Sequence, residues 1–225
     1  MKAIIHLLAI SILLVSCQKE QDNIPDPVIP AAKYMSLTAG STWNFELTDN
    51  ITAPATSTFT LSSTSRDSVI NSKPYHVFTN SSGSTNEYYN ITGNDYYNFR
   101  KLPEALGGTT VEYLYLKDNL EATKSWSQAF PVTFSGITLN ATLTNTITAK
   151  GITKIIKGIT YNNVIHVTTT VSIVGVPASA LTTDIQSFYA EKFGLIQSVN
   201  KIQVDFAGIT DDTEQQTELV TADIK

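Results

Sequence analysis

Apolar and polar residues alternate one by one through most of this chain, and that period of two constrains the fold more than any other feature. Between Thr42 and Thr48, the residues Trp43, Phe45 and Leu47 fall on one face and Asn44, Glu46 and Thr48 on the other. Ile137, Leu139, Ala141, Leu143 and Ile147 share a face in the same way, opposite Thr and Asn, and Val167, Val171 and Ile173 alternate with Thr and Ser. Successive side chains of a strand point to opposite sides, so these runs predict strands with one dry and one wet face, the pattern of antiparallel sheets. Turn signals separate them: Asn71-Ser72-Lys73-Pro74, Ser82-Gly83-Ser84, Gly93-Asn94-Asp95, Lys157-Gly158, Phe193-Gly194 and Gly208. Only residues 102–108 and 178–187 could hold a helical turn or two. The expected fold is all-β with about a dozen strands, as an antiparallel curled sheet or an open, incomplete β-barrel; a β-sandwich is the alternative.

Two landmarks recur at nearly one offset. Residues 40–45 (GSTWNF) echo 123–130 (TKSWSQAF), and residues 70–78 (INSKPYHVF) echo 156–167 (IKGITYNNVIHV). In the second pair a turn leads to Tyr75 or Tyr161 and then to His76-Val77 or His166-Val167. The expectation is one β domain over 34–225, with duplicated halves 34–116 and 117–225. An outer-membrane barrel is rejected, because its strands need an unbroken apolar face toward lipid and Asn145 interrupts the best candidate.

The first residues are of another kind. Lys2 precedes an apolar run, Ala3 to Val15, of secretory length and shorter than the ~20 residues that span a bilayer. It ends at Leu14-Val15-Ser16-Cys17, which resembles the lipobox of bacterial lipoproteins. The resemblance implies a signal peptide over 1–16, diacylglycerol on the Cys17 thiol, cleavage before Cys17 and acylation of the new amine. Several acyl chains hold a protein on a membrane where one gives only marginal binding. Cys17 is the only cysteine, so the folded part has no sulfur crosslink. Gln18-Lys19-Glu20 resembles the short signal that carries some Gram-negative lipoproteins to the outer face of the outer membrane, with the periplasmic face as the alternative. Residues 17–33 form a tether in which Pro25, Pro27 and Pro30 favour extended polyproline II.

Tyr34-x-x-Leu37-x-x-Gly40-x-x-Trp43, with residues 188–198 (FYAEKFGLIQS) near the end, resembles a group of secreted β-rich lipoproteins that carries no assigned activity. That resemblance implies a curled antiparallel sheet or open barrel.

No constellation for catalysis stands out. His76 and His166 each sit in a strand pattern beside Val, no Gly-x-Ser-x-Gly elbow exists, and no metal-ligand spacing or cofactor motif is present. Asp211-Asp212 with Glu214 reads as an acidic solvated loop. The net charge of −5 and the lack of a Lys/Arg cluster argue against nucleic acid as partner. Residues 86–100 gather Tyr88, Tyr89, Tyr96 and Tyr97 around a Gly-Asn-Asp turn, so one Tyr of each adjacent pair should face inward and the other outward. Outward Tyr beside Asn suits stacking on a glycan or a protein partner; cross-strand packing within the sheet is the competing role. Asp67-Ser68-Val69 resembles a bacterial acceptor motif for O-glycosylation at Ser68. The sequence therefore points to a non-catalytic binding or assembly module held on the outer membrane through Cys17, facing glycan or an outer-membrane protein. The alternatives are an extracellular glycan-active enzyme or a periplasm-facing protein that handles lipids or lipoproteins.

Overall fold

Alternation becomes strand wherever it was read. The computed structural model describes residues 33–50, 54–83, 86–102, 108–134, 137–206 and 209–225, all within the compact unit 32–225. The signal segment, Cys17 and the tether through residue 32 lie outside the described residues. Twelve strands follow in order: β1 Thr42–Asp49, β2 Ala55–Ile70, β3 Lys73–Asn80, β4 Glu87–Thr92, β5 Asp95–Lys101, β6 Thr110–Lys117, β7 Ser125–Phe134, β8 Ile137–Ile156, β9 Ile159–Ile173, β10 Leu181–Ala190, β11 Gly194–Phe206 and β12 Ile209–Asp223. The only helical element among the described residues is a 3₁₀ turn at Ala178–Ala180. The rest of the expected helical stretch at 178–187 is strand β10, and most of the one at 102–108 lies outside the described residues. Asp211, Asp212 and Glu214, read from sequence as a loop, stand on β12, where Glu214 pairs with Lys201 at 2.7 Å. Alternation with Thr and Gln won over the local acidity.

All neighbours in the sheet are antiparallel and their order is β6-β5-β4-β3-β2-β1-β12-β11-β10-β9-β8-β7. Two six-strand meanders are thus joined where the first and last strands pair, Phe45 opposite Leu219. The sheet curls into a nearly closed barrel whose one unsealed seam runs between β6 and β7, strands adjacent in sequence. Of the repeat landmarks, Trp43 and Trp126 lie on the first strand of each meander, and Tyr75 and Tyr161 on the third.

Apolar faces turn inward. Trp43, Phe78, Tyr96, Leu116, Ile147, Ile165, Ile196, Ile202 and Leu219 are fully buried. Outside β7 and β8 the surface is a hydroxyl ladder, with Ser125 on Thr146 and Ser127 on Thr144, each at 2.8 Å. A membrane barrel needs the reverse arrangement, with its apolar face outward. Asn145 sits on the inner face opposite Trp126 and is fully buried. Its Oδ1 accepts from Tyr113 Oη (2.7 Å) and Thr169 Oγ1 (2.6 Å), so the polar group that breaks the apolar run is satisfied inside.

Each meander carries one long hairpin between its second and third strands. The turns Asn71-Ser72 and Lys157-Gly158 each have two successive positive φ angles, the two-residue geometry that matches the twist of paired strands. The β2–β3 tip lies over β5 and β6: Tyr75 packs edge-on against Phe99 at 5.0 Å and bonds Glu112, which Lys73 also reaches at 2.8 Å. In the second meander the β8–β9 tip crosses to β12 and β1, where Lys157 pairs with Glu218 at 3.3 Å and Glu46 at 2.5 Å. Lys154 stands 3.6 Å over the Phe188 ring of β10. A lysine near each hairpin tip thus engages a glutamate of the sixth strand of its own meander.

Candidate functional site

The barrel differs at its two ends. Near the β4–β5, β6–β7 and β10–β11 turns, Tyr34 and Met35 enter the interior and Leu37 packs against the core, while residues 38–40 run exposed over the rim. Tyr34 and Met35 are buried, and the Tyr34 amide donates to Tyr96 Oη at 3.2 Å. Tyr96 Oη in turn donates to Asp118 at 2.6 Å, and burial pushes both the phenol and the Asp118 carboxyl above their ordinary pKa values. Trp43 Nε1 donates to the Phe193 carbonyl at 2.7 Å. Gly194 has φ +74°, and a Cβ there would stand 3.1 Å from Met35 Sδ and from the Tyr34 carbonyl oxygen. Only glycine lets the chain seat so closely. The Lys192 amide also donates to the Lys33 carbonyl at 2.7 Å, so the hold on the tether begins one residue before the expected domain boundary.

Ser63, His76 and Asp67 stand beside this plug. Asp67 and His76 face each other across the Asn71-Ser72 turn. His76 Nδ1 lies 2.8 Å from Asp67 Oδ1 and Nε2 lies 2.9 Å from Ser63 Oγ. That connectivity is the one used by nucleophilic hydrolases, and the sequence search for a Gly-x-Ser-x-Gly elbow missed it. Its surroundings do something else. Ser63 is 4% exposed and its hydroxyl donates to the Leu37 carbonyl at 3.1 Å, while the Ser63 amide donates to the Ser41 carbonyl and its own carbonyl accepts from Gly40. A nucleophile must reach a substrate, and this hydroxyl is buried against the plug. The trio clasps residues 37–41 to the β2–β3 hairpin.

At the other end the barrel opens. Arg100 and Leu102 stand at the far end of β5 from Tyr96, and with Leu143, Ile185 and Ile202 they wall an open cleft. The cleft is shallow: Leu102, Leu143 and Ile202 at its back are buried, and Arg100, Ile185 and Asn200 form its accessible part. Tyr113 and Thr169, tied together through Asn145, form the polar part of its lining with Asn200. The Arg100 guanidinium lies 5.8 Å from the centre of the Tyr113 ring. Among the described residues neither Arg100 nor the Asn200 side chain has a hydrogen-bond or ion-pair partner, and no acidic residue lines the cleft. No group of His, Cys, Asp and Glu suited to a metal ion occurs among the described residues.

The four tyrosines of the β4–β5 hairpin divide by face. Tyr89 and Tyr96 point inward: Tyr89 packs on Phe78 at 4.7 Å and bonds Glu87, and Tyr96 is 1% exposed. Tyr88, paired across to Phe99, and Tyr97 point outward and are half-buried. Lys73 sits 3.0 Å over the Tyr97 ring, so the chain itself covers one of these two rings. Ser68 is half-buried on β2 opposite Tyr75, and its neighbour Asp67 is engaged by His76.

Fold and site together define an all-β, twelve-strand open barrel, plugged at the end where the tether enters and open at the other. No family model matches the sequence, and no curated protein matches it. Two solved structures are similar in fold. One is described as a candidate lipoprotein of Parabacteroides distasonis ATCC 8503, at TM-score 0.48 and 12% identity, covering 85% of this chain and 99% of that one. The other is described as a candidate exported protein with a YmcC-like fold from Bacteroides fragilis NCTC 9343, at TM-score 0.46 and 7% identity, with the same coverage.

Proposed function

We propose that this chain is a lipoprotein of the Gram-negative envelope, anchored in the outer membrane through acyl chains on Cys17 and displayed at the cell surface. Its barrel is a non-catalytic binding module that receives a small ligand in the Arg100 cleft. The observation that carries the reading is the asymmetry of the barrel. One end is filled by Tyr34 and Met35, and the other offers an open cleft where Arg100 and Asn200 make no side-chain hydrogen bond or ion pair among the described residues. The lipobox residues support the anchor, and the hydroxyl ladder outside β7 and β8 suits a barrel surrounded by water. The outward Tyr88 beside Asn90 offers a second contact surface, for a glycan or an outer-membrane protein partner.

Metabolic labelling with a palmitate analogue tests the anchor. Label should enter the native chain and be lost in Cys17→Ala, whereas equal labelling of both would defeat the assignment. Added protease on intact cells tests display. Replacing Lys19 and Glu20 with Ala should lower accessibility at constant total protein, and unchanged accessibility would leave those residues as linker alone.

A further inference from the structure

The clasp at Ser63 holds more hydrogen-bonded contacts than a neutral histidine can supply. Three meet there: His76 Nδ1 with Asp67 Oδ1 at 2.8 Å, His76 Nε2 with Ser63 Oγ at 2.9 Å, and Ser63 Oγ with the Leu37 carbonyl at 3.1 Å. An ionised carboxylate and a carbonyl only accept, and the Ser63 hydroxyl has one proton to give. If Nδ1 carries the single proton of a neutral ring, Nε2 is an acceptor and competes with the Leu37 carbonyl for that hydroxyl proton. If Nε2 carries it instead, Nδ1 turns a lone pair toward the Asp67 carboxylate. Only the imidazolium, with a proton on both nitrogens, completes all three contacts. Nδ1 then donates to Asp67, Nε2 donates to Ser63 Oγ, and the hydroxyl proton is left for Leu37.

We propose that this clasp is proton-gated: His76 must be charged for Ser63 to hold Leu37, so residues 37–41 are bound more tightly in mild acid than at neutral pH and above. The His76 side chain is 14% exposed and Asp67 is 73% exposed, so protons reach the pair from solvent. Opposite His76 on β4 stands Tyr89, whose hydroxyl is bonded to Glu87, and Phe78 of its own strand packs edge-on at 5.5 Å. Residues 36–41 carry no ionisable side chain, and Arg66, beside Asp67 on β2, is exposed. Asp67 is therefore the carboxylate in contact with the ring, and histidine is the side chain whose charge ordinarily changes between about pH 5 and 8. Loss of the proton removes the bond to Leu37 and leaves two backbone pairs, Ser63 amide to Ser41 carbonyl and Gly40 amide to Ser63 carbonyl. The segment loosens at Leu37 without leaving the barrel. Leu37 follows the buried Met35 by two residues, so the device acts on the chain that leads out of the filled end.

The test is amide hydrogen exchange on the full chain, read as protection factors so that the pH dependence of exchange itself cancels. The amides of residues 36–41 should be protected roughly fivefold more at about pH 5.5 than at about pH 8, the worth of one net hydrogen bond. H76Q should remove this step, and H166Q, at the other histidine of the barrel, should keep it. Nitrogen NMR of the ring in the native chain gives a second reading that does not depend on a variant folding. Neutral His76 should carry its proton on Nδ1, facing Asp67, with Nε2 accepting from Ser63. Equal protection of residues 36–41 at both pH values, a step that survives in H76Q, or a neutral ring protonated on Nε2 would each overturn the proposal.

Discussion

Trp126 Nε1 donates to the main-chain carbonyl of Leu114 at 2.8 Å, across the one place where the barrel lacks a strand-to-strand ladder. Gln128, two residues along β7, accepts from the Leu114 amide at 2.6 Å. One residue of β6 therefore has both of its backbone groups satisfied by β7 side chains. Unpaired edges invite pairing with other chains, and this arrangement blunts the edge without closing it. Pro131 further along β7 has no amide to offer a new strand.

Removing either donor or acceptor should loosen the seam locally. Trp126→Phe keeps an aromatic ring but leaves the Leu114 carbonyl dependent on Asn145 Nδ2, which lies at 3.5 Å. The expected loss is about 1–2 kcal/mol in chemical denaturation. Gln128→Leu should speed hydrogen exchange at the Leu114 amide while leaving the amides of β1 and β12 unchanged. Exchange at Leu114 as slow as in the native chain would show that the seam is held by something other than these two side chains.

The tyrosine hairpin separates core from surface. Tyr96→Ala should cost about 3–5 kcal/mol, as truncation of a large buried aromatic does, and Tyr89→Ala, partly buried but packed on Phe78, about 1–3 kcal/mol. Tyr88→Ala and Tyr97→Ala, outward and half-buried, should cost no more than about 1 kcal/mol. Denaturant midpoints read the difference directly. Four equally severe variants would mean that the outer pair is core as well and that no aromatic surface is available to a partner.

Acidity should weaken the second meander at His166. This ring stacks on Phe188 at 4.1 Å and its Nε2 lies 3.1 Å from Gln186 Oε1. Burial, aided by nearby Lys154, lowers its pKa below the ordinary value of 6.5. A histidine depressed in the folded state binds fewer protons there than in the unfolded chain. Its contribution is fully present above about pH 6.5 and is lost as pH falls through the lower, folded value. The melting temperature should therefore drop between neutral and mildly acid pH, and His166→Gln should flatten that part of the profile. An identical profile in the variant would assign the acid sensitivity elsewhere.

Much of the inner face was legible before the fold was known, because burial follows alternation. Trp43, Phe45, Leu143, Val167 and Ile173 all face inward as their spacing requires. The Asp67–His76 contact was not drawn from the sequence, although a two-residue turn at Asn71-Ser72 is what sets those positions opposite one another. The seam was not legible. Strands β6 and β7 are adjacent in sequence, and local patterning gives no reason for them to stay unpaired; the cause is side chains reaching across to the Leu114 backbone. Asn145 looked like a defect because its two partners, Tyr113 and Thr169, come from β6 and β9. The cleft was hidden for the same reason, with Arg100 and Asn200 meeting only through the curl of the sheet.

The central claim is the asymmetry of the barrel, filled at the Tyr34 end and open at the Arg100 end. Cys17 is the sole cysteine, so in a Cys17→Ala background a single thiol can be placed at will. Ile185→Cys lines the cleft, and Ser125→Cys stands exposed on the outer face. The measurement is the rate of maleimide modification at each, compared with Met35→Cys in the filled end, where the native side chain is buried. Ile185→Cys should react at a rate approaching that of Ser125→Cys and much faster than Met35→Cys; equally slow reaction at Ile185→Cys and Met35→Cys would contradict an open Arg100 end.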